Sequence, residues 1–398
     1  MQDLKIGVIG SGGRGIIATH AHRPGEGSRV VACCDRNPAT LAANREAYGA
    51  DIFTTDDYRA LLQSDVEAVF VTTPDFLHEE MAIAALQAGK AVYLEKPLAI
   101  TTDSCDRVLR AAMESGSRLY LGHNMRHMPF ARRMKELIDA GAIGEVKTAW
   151  CRHFVGNGGD YYFKDWHAER RYSNGLLLQK GAHDIDVLHW LCGGFTRRVN
   201  AMGDLMVYGD NPNRAPRREG DEATAKPDFD RHEGFHWPPA TQQKLHADID
   251  IEDVSMMQMQ LSNGVLASYQ QCHFTPDYWR NYTIIGTAGR IENEGNGEDG
   301  TCIKVWNRRK WGWAAPDEIH MISGSDAEHG GADPLIVAEW VRFAREGGPT
   351  QTSPVAARES VAAGCAATES LRNGGVPVDV APVDAEIAAY FAGERLEF

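Results

Sequence analysis

The apolar run Lys5–Ile9 passes without a break into Gly10-Ser11-Gly12-Gly13-Arg14-Gly15, and this strand-into-glycine junction constrains the fold more than any other feature of the chain. Three glycines at that spacing have separate physical jobs. Gly10 permits a tight turn, Gly12 lets backbone come close to a bound group, and Gly15 lets the following helix-compatible segment pack against the strand. Such a turn presents free N–H groups, with Ser11 and Gly13 among them, to phosphate oxygens. Taken alone the pattern is weak, because any glycine-rich turn can match it.

Asp35 strengthens it. This residue ends the next strand, about twenty residues beyond the last glycine, where a carboxylate holds an adenosine ribose in dinucleotide-binding folds. A carboxylate there repels a 2′-phosphate and favours NAD, while Arg36 and Arg14 are the groups that could accommodate that phosphate, which leaves NADP open. The surrounding pattern agrees. Short β-rich runs at Lys5–Ile9, Arg29–Cys34, Ala68–Thr72, Ala91–Leu94 and Leu119–Gly122 alternate with helical stretches at Pro38–Tyr48, Asp57–Gln63, Glu79–Ala88 and Asp103–Ser115, the last with Thr102 or Asp103 as cap. Near-continuous Val, Ile and Ala content in the strands suits a parallel sheet covered on both faces. The expectation is an α/β chain whose N-terminal part, residues 1–123, is a doubly wound Rossmann domain.

After Pro129 the texture changes. A helix over Phe130–Ala140 leads into longer, antiparallel-looking strands, among them Val254–Leu261 and Val265–His273 around Ser262-Asn263-Gly264, then Asn281–Thr287 and Gly289–Asn293. The tail returns to helices at Leu335–Arg345 and Pro354–Asn373 and ends in an extended Val376–Val380. Residues 124–398 are therefore expected to form a second α/β domain with an open, predominantly antiparallel mixed sheet, its C-terminal helices packing back on the first. Tyr208–Asp250, rich in proline and charge with little apolar periodicity, reads as a long insertion and a candidate active-site flap.

With 398 residues, two domains are the natural division. A formal net charge of -14 argues against a large nucleic-acid footprint, which needs a basic face. No apolar run approaches the roughly 18–20 residues of a membrane span. Eight cysteines scattered without CxxC spacing suit a reduced compartment. With no signal-peptide pattern at the N-terminus, a cytoplasmic location is expected.

Glu95-Lys96-Pro97 and Thr72-Thr73-Pro74-Asp75-Phe76-Leu77-His78 stand at consecutive strand ends. With the glycine turn, with 122–129 (Gly-His-Asn-Met-Arg-His-Met-Pro) and with Gly181-Ala182-His183-Asp184-Ile185-Asp186, they give a chain that over nearly its whole length resembles the Gfo/Idh/MocA family of oxidoreductases. The resemblance implies a Rossmann domain followed by an open sheet that mediates a homodimer or homotetramer. It places His78, Thr72, Thr73, Pro74, Glu95 and Asn124 beside the cofactor and Arg126 in the pocket, and it makes Lys96 a catalytic cation. His183 is the candidate base, its ordinary pKa near 6.5 being useful at neutral pH. Asp186 lies three residues on, on the same helix face. His183, Asp186 and His189 have passable metal-ligand spacing, yet the resemblance implies a cofactor-only mechanism and no fourth ligand stands out, so no metal is expected. One departure matters: where family members often carry Asp or Glu four residues before the histidine, this chain has Gln179 followed by Lys180. An amide cannot accept a proton as a carboxylate does, and Lys180 becomes a candidate second cation or substrate contact. Trp166, His167, Tyr282 and the His273–Arg280 segment are further candidates from the second domain, since aromatic rings stack on sugar faces.

Three functions stay open at this point. One is hydride transfer between NAD(P) and a ring hydroxyl or ketone of a sugar, glycoside or inositol. Another is glycoside cleavage through transient C3 oxidation and elimination. The last is a catalytically inactive dinucleotide sensor, against which the retained Glu95-Lys96-Pro97 and His183 count.

Overall fold

The computed structural model describes residues 2–217, 236–325 and 328–392, and the chain divides into two compact units. The first takes in residues 2–128, 328–361 and 382–392. Its six strands are β1 (Leu4–Ile9), β2 (Ser28–Cys34), β3 (Phe53–Thr55), β4 (Ala68–Val71), β5 (Ala91–Leu94) and β6 (Leu119–Leu121). They lie in the order β3-β2-β1-β4-β5-β6, and every neighbouring pair is parallel. All four residues of β4 are buried, as a strand covered on both faces requires. The strand order reverses between β1 and β4, which opens the crevice where doubly wound sheets bind ligands. Gly10 follows one of these strands and Thr72 the other.

The helices start where local chemistry caps them. α1 (Pro38–Tyr48) begins at Asn37, whose side chain accepts from Ala39 N at 2.9 Å. α2 (Tyr58–Gln63) begins at Asp57, which accepts from Arg59 N. α3 spans His78–Gln87 and α4 Thr102–Ser115. The cap of α4 is Thr101, whose hydroxyl accepts from Ser104 N at 3.1 Å, and neither Thr102 nor Asp103 takes that place because both are already helical. The segment after the glycine turn is a 3-10 helix, Gly13–Ala21. Late in the chain the helix Ala332–Glu346 belongs to this same unit, and Trp340 on it is fully buried, 4.3 Å from the Phe70 ring and 5.8 Å from that of Tyr93.

The second unit comprises residues 129–217, 236–325 and 362–381. Its strands are β7 (Val146–Phe154), β8 (Thr196–Asp204), β9 (Val254–Leu261), β10 (Leu266–Cys272), β11 (Trp279–Gly286), β12 (Arg290–Glu294), β13 (Cys302–Trp306), β14 (Glu318–Met321) and β15 (Val378–Asp379). They form one sheet in the order β14-β13-β12-β11-β7-β10-β9-β8-β15. All pairs are antiparallel except β7 with β10. Strict alternation of buried and exposed residues along β9 shows one face covered and one open. Gly264, at φ +87°, makes the β9–β10 turn. Two helices, α5 (Pro129–Asp139) and α6 (Gly181–Cys192), lie on the covered face, and every residue of α6 is buried.

Of the expected insertion, Tyr208 and Leu245 are anchored in an apolar cluster with Phe163, Leu176 and Ile251. The 3-10 turn Pro239–Thr241 is the one helical element among its described residues. Residues 218–235 of the suggested flap lie outside the described residues. All eight cysteines are free thiols, and burial pushes those of Cys33, Cys34 and Cys192 up to about 12. Among the described residues no helix is long and apolar enough to cross a membrane.

Candidate active site

In the first unit the glycine turn is built for close approach. A Cβ on Gly10, whose φ is +80°, would stand 2.8 Å from Thr73 N, and one on Gly15 would stand 2.6 Å from the Gly10 carbonyl. Asp35 closes the turn from the side: Oδ2 accepts from Gly12 N at 2.9 Å and Oδ1 from Asn37 N at 2.9 Å. Thr72 donates to the Gly10 carbonyl at 2.8 Å, and Asn44 donates to the Ser11 hydroxyl. Arg36 is exposed beside this carboxylate. The buried Thr73 hydroxyl has no hydrogen-bond partner among the described residues. A cradle that side chains would fill, a carboxylate at its rim and an orphaned hydroxyl beside it all fit a dinucleotide.

Beyond β5, Glu95 is the hub of a charged network. Its Oε2 accepts from Lys96 N at 3.0 Å and its Oε1 from Arg14 Nε at 2.7 Å. The other two nitrogens of Arg14 grip Asp333 at 2.5 and 3.0 Å. Asp333 also takes Asn124 Nδ2 at 3.1 Å and faces His329 Nδ1 at 3.1 Å. Burial opposes ionisation of Asp333, but His329 and Arg14 outweigh it and hold the carboxyl well below its usual range. Arg14 and Asn124 are thus committed to a carboxylate that lies far away in sequence. Lys96 itself is half-buried. His78 is fully buried and braces two strand-end loops, Nδ1 lying 2.7 Å from the Pro97 carbonyl and Nε2 3.0 Å from that of Thr73. Pro74 precedes the short 3-10 turn Asp75–Leu77, and Arg126 donates to the Gln351 carbonyl at 2.9 Å.

In the second unit the short helical turn Leu176–Gln179 runs through Lys180, itself in helical conformation, into α6. Lys180, His183 and Asp184 therefore sit at i, i+3 and i+4. Lys180 is half-buried with its ammonium 5.6 Å from the centre of the Tyr162 ring. The same ring meets His167 at 5.4 Å and His273 at 5.3 Å, and His167 stacks on Trp166 at 3.7 Å. His183, Asp186 and Gln179 are buried. His189 is spent on the start of β8, its Nε2 2.7 Å from Thr196 Oγ1 and accepting from Thr196 N at 3.1 Å, and among the described residues no three His, Cys, Asp or Glu come together as a metal site.

Asp184, which the sequence did not single out, is the anchor of the second unit. Fully buried, it accepts from Tyr269 Oη at 2.9 Å and from Tyr282 Oη, faces His153 Nδ1 at 2.9 Å, and pairs with Arg280 Nε at 3.0 Å. Burial alone would raise its pKa; Arg280 and His153 reverse that and hold it well below the usual carboxylate range. Tyr282 is fully buried, so its hydroxyl orients this carboxylate. His153 is pushed down to about 3, by burial first and then by Arg280, and its Nε2 meets Tyr278 Oη at 3.0 Å. Burial also lowers the pKa of Lys180, with Arg280 adding to it against Tyr278 and Asp184. Tyr162 and Asp184 carried no separable signal in sequence: one sits in an aromatic run, the other on a helix whose faces only the sheet distinguishes.

Residues 4–123 match the family model of an oxidoreductase family with an NAD-binding Rossmann fold, and residues 135–380 match that of the same family's C-terminal alpha/beta domain. The chain is 32% identical over 211 residues to the 2,7-anhydro-N-acetylneuraminate hydratase of Mediterraneibacter gnavus, covering 52% of this chain and 54% of that protein. It is 36% identical over 206 residues to the inositol 2-dehydrogenase of Klebsiella pneumoniae, covering 50% and 57%. The match thus spans about half the length of each of these relatives. Levoglucosan dehydrogenase, solved with NADH and levoglucosan, shares the fold over 95% of this chain and 100% of that structure (TM-score 0.76, 21% identity), and its complex with NADH does so over 96% and 100% (TM-score 0.77, 21% identity). Both domain models in their expected order, over a sheet of order 3-2-1-4-5-6 and a mixed nine-stranded sheet, establish that this chain belongs to the Gfo/Idh/MocA family of NAD-binding oxidoreductases.

Proposed function

We propose that the chain transfers hydride between NAD and a ring hydroxyl or ketone of a sugar, glycoside or inositol. The observation that carries this reading is the helical run that sets the Lys180 ammonium and the His183 imidazole three residues apart, in a chain whose other unit has an NAD-binding fold. Levoglucosan and inositol dehydrogenases among its relatives support the substrate class. NAD, when bound, supplies the hydride acceptor. Oxidising a secondary alcohol also requires removal of its proton and a cation near the developing alkoxide. In this proposal His183 takes the proton and Lys96 stabilises the alkoxide. Lys180 adds a second cation, Asp186 and Arg126 hold substrate hydroxyls, and Trp166 with His167 offers a stacked aromatic face. Asp184, through Tyr282 and His153, keeps α6 in place.

A second reading has specific support. Gln179 replaces the carboxylate often found there, and one relative is named a hydratase, a reaction that adds water without net oxidation. In that reaction the C3 hydroxyl would give up a hydride to the bound dinucleotide and its proton to a base, C2 would lose its acidified proton, the C1 substituent would depart with the electron pair, water would add as OH at C1 and H at C2, and the C3 ketone would regain a hydride and a proton. Lys96→Met and His183→Ala test the roles common to both readings. Each is expected to lower kcat by roughly 10²–10⁴-fold with NAD affinity unchanged. Near-normal turnover in either variant would remove that residue from the mechanism.

A further inference from the structure

Lys180 has an unusual electrostatic position. Its side chain is half-buried, and among the described residues no carboxylate lies within 4.0 Å of its ammonium; the Tyr162 ring stands 5.6 Å away, and Tyr278 also acts on it. The carboxylate that acts on it, Asp184, is already neutralised by Arg280 at 3.0 Å and bound by Tyr269, Tyr282 and His153. Asp165, the acid next to His167, is likewise engaged by that ring. A cation withdrawn from water without a counter-charge is disfavoured, and the lowered pKa of Lys180 expresses that cost.

A second feature of the same neighbourhood points the same way. His273 is fully buried, packed edge-on against Tyr162 at 5.3 Å and Phe163 at 6.2 Å, and among the described residues neither of its ring nitrogens has a hydrogen-bond partner. Buried polar atoms are nearly always satisfied in folded proteins, so two orphans on one ring mark a place where a polar partner is missing. Burial holds this imidazole neutral, so it does not compensate for Lys180 by accepting or sharing charge. The wall formed by Tyr162, Lys180, His167 and His273 thus offers one uncompensated positive charge, hydrogen-bonding capacity behind it, and an aromatic face.

We infer that Lys180 anchors an anionic substituent, a carboxylate or a phosphate, of the ligand that this wall receives. The inference rests on the reading of α6 and its preceding turn as part of the substrate site, and it narrows the substrate class from neutral to acidic sugars. It also gives Gln179 a reason: a carboxylate in that position, next to Lys180, would compete with the ligand for the ammonium.

The test uses the full chain saturated with NAD. Brief acetylation with N-hydroxysuccinimide acetate is followed at Lys180 by mass spectrometry, with the exposed Lys147 as internal standard, in the presence of D-glucuronate, inorganic phosphate or D-glucose. D-glucuronate or phosphate is expected to slow labelling of Lys180 by about tenfold, with D-glucose leaving it unchanged; which anion protects tells a sugar acid from a phosphate ester. Calorimetric titration with the protecting anion should show binding lost in Lys180→Met and mostly kept in Lys180→Arg. The inference is overturned if no anion slows labelling, if D-glucose slows it equally, or if NAD alone already shields Lys180. NAD affinity measured on the same samples keeps the two readings apart: loss of NAD binding would contradict the proposed function, whereas firm NAD binding without anion protection contradicts only the assignment of Lys180.

Discussion

Replacing Asp184 by Asn keeps the shape of the side chain and removes its charge. Arg280, 6% exposed, is then left as a buried cation without a counter-ion, and Tyr269, Tyr282 and His153, which share two carboxylate oxygens, are left with one amide oxygen and an N–H group that donates instead of accepting. Removing one partner of a buried ion pair typically costs about 3–5 kcal/mol. At about 2–4 °C per kcal/mol for a domain of 150–250 residues, the midpoint of thermal unfolding should fall by roughly 6–20 °C. Circular dichroism during heating and urea titration measures both quantities. Arg280→Met in the same background should recover a large part of the loss, because an apolar residue in place of the stranded cation removes its desolvation cost, giving a coupling energy of about 1–3 kcal/mol. An Asp184→Asn protein within about 1 kcal/mol of the parent, or single costs that simply add in the double variant, would refute the picture of Asp184 as the charge that pins α6 to β7 and β11.

Acid sensitivity follows from the same cluster. His153 titrates near 6.5 in an unfolded chain but is pushed down to about 3 in the fold, so between those values only the unfolded state takes up this proton. Its contribution is fully present above pH 6.5 and is lost as the pH falls toward 3, at up to about 1.4 kcal/mol per pH unit; urea midpoints across that window should show a slope that His153→Gln flattens. In the first unit, Asp35→Asn should weaken NAD binding by about tenfold and narrow the preference over NADP, since the repulsion of a 2′-phosphate goes with the charge. Fluorescence titration with both cofactors checks this, and unchanged NAD affinity would take Asp35 out of the cofactor site.

The legible parts of this chain were those written in local chemistry. Pro38–Tyr48 declared itself through its periodicity and a first-turn proline, and Val254–Leu261 through alternation about a Ser-Asn-Gly turn, because each pattern depends on neighbours within a few residues. β3 was invisible: Phe53–Thr55 is three residues long, at the sheet edge, with no residue fully buried. The caps of α4 and the edges of β11 and β12 shifted by one or two residues, which is the usual fraying of boundaries. The parallel pairing of β7 with β10 could not be read, since nothing in either strand records which distant partner it meets. The site divides along the same line. Gly10–Gly15, Asp35 and Glu95-Lys96-Pro97 stood out because strand ends place them, whereas Asp333 reaches Arg14 across a separation of 319 residues. On α6, Asp184 and Asp186 look equivalent in sequence; it is the arrival of Arg280, Tyr282 and His153 from the sheet that makes Asp184 the anchor.

The most direct test of the central claim is to incubate the purified protein with NAD and a panel of sugars, sugar acids, inositols and aryl glycosides, following the NADH absorbance band and aglycone release together. The account predicts hydride transfer with at least one member of the panel: NADH accumulating alone for a dehydrogenase, or aglycone released with little net NADH for cleavage through transient oxidation. Firm NAD binding with neither signal across the whole panel would contradict it and leave a chain that binds the dinucleotide without using it.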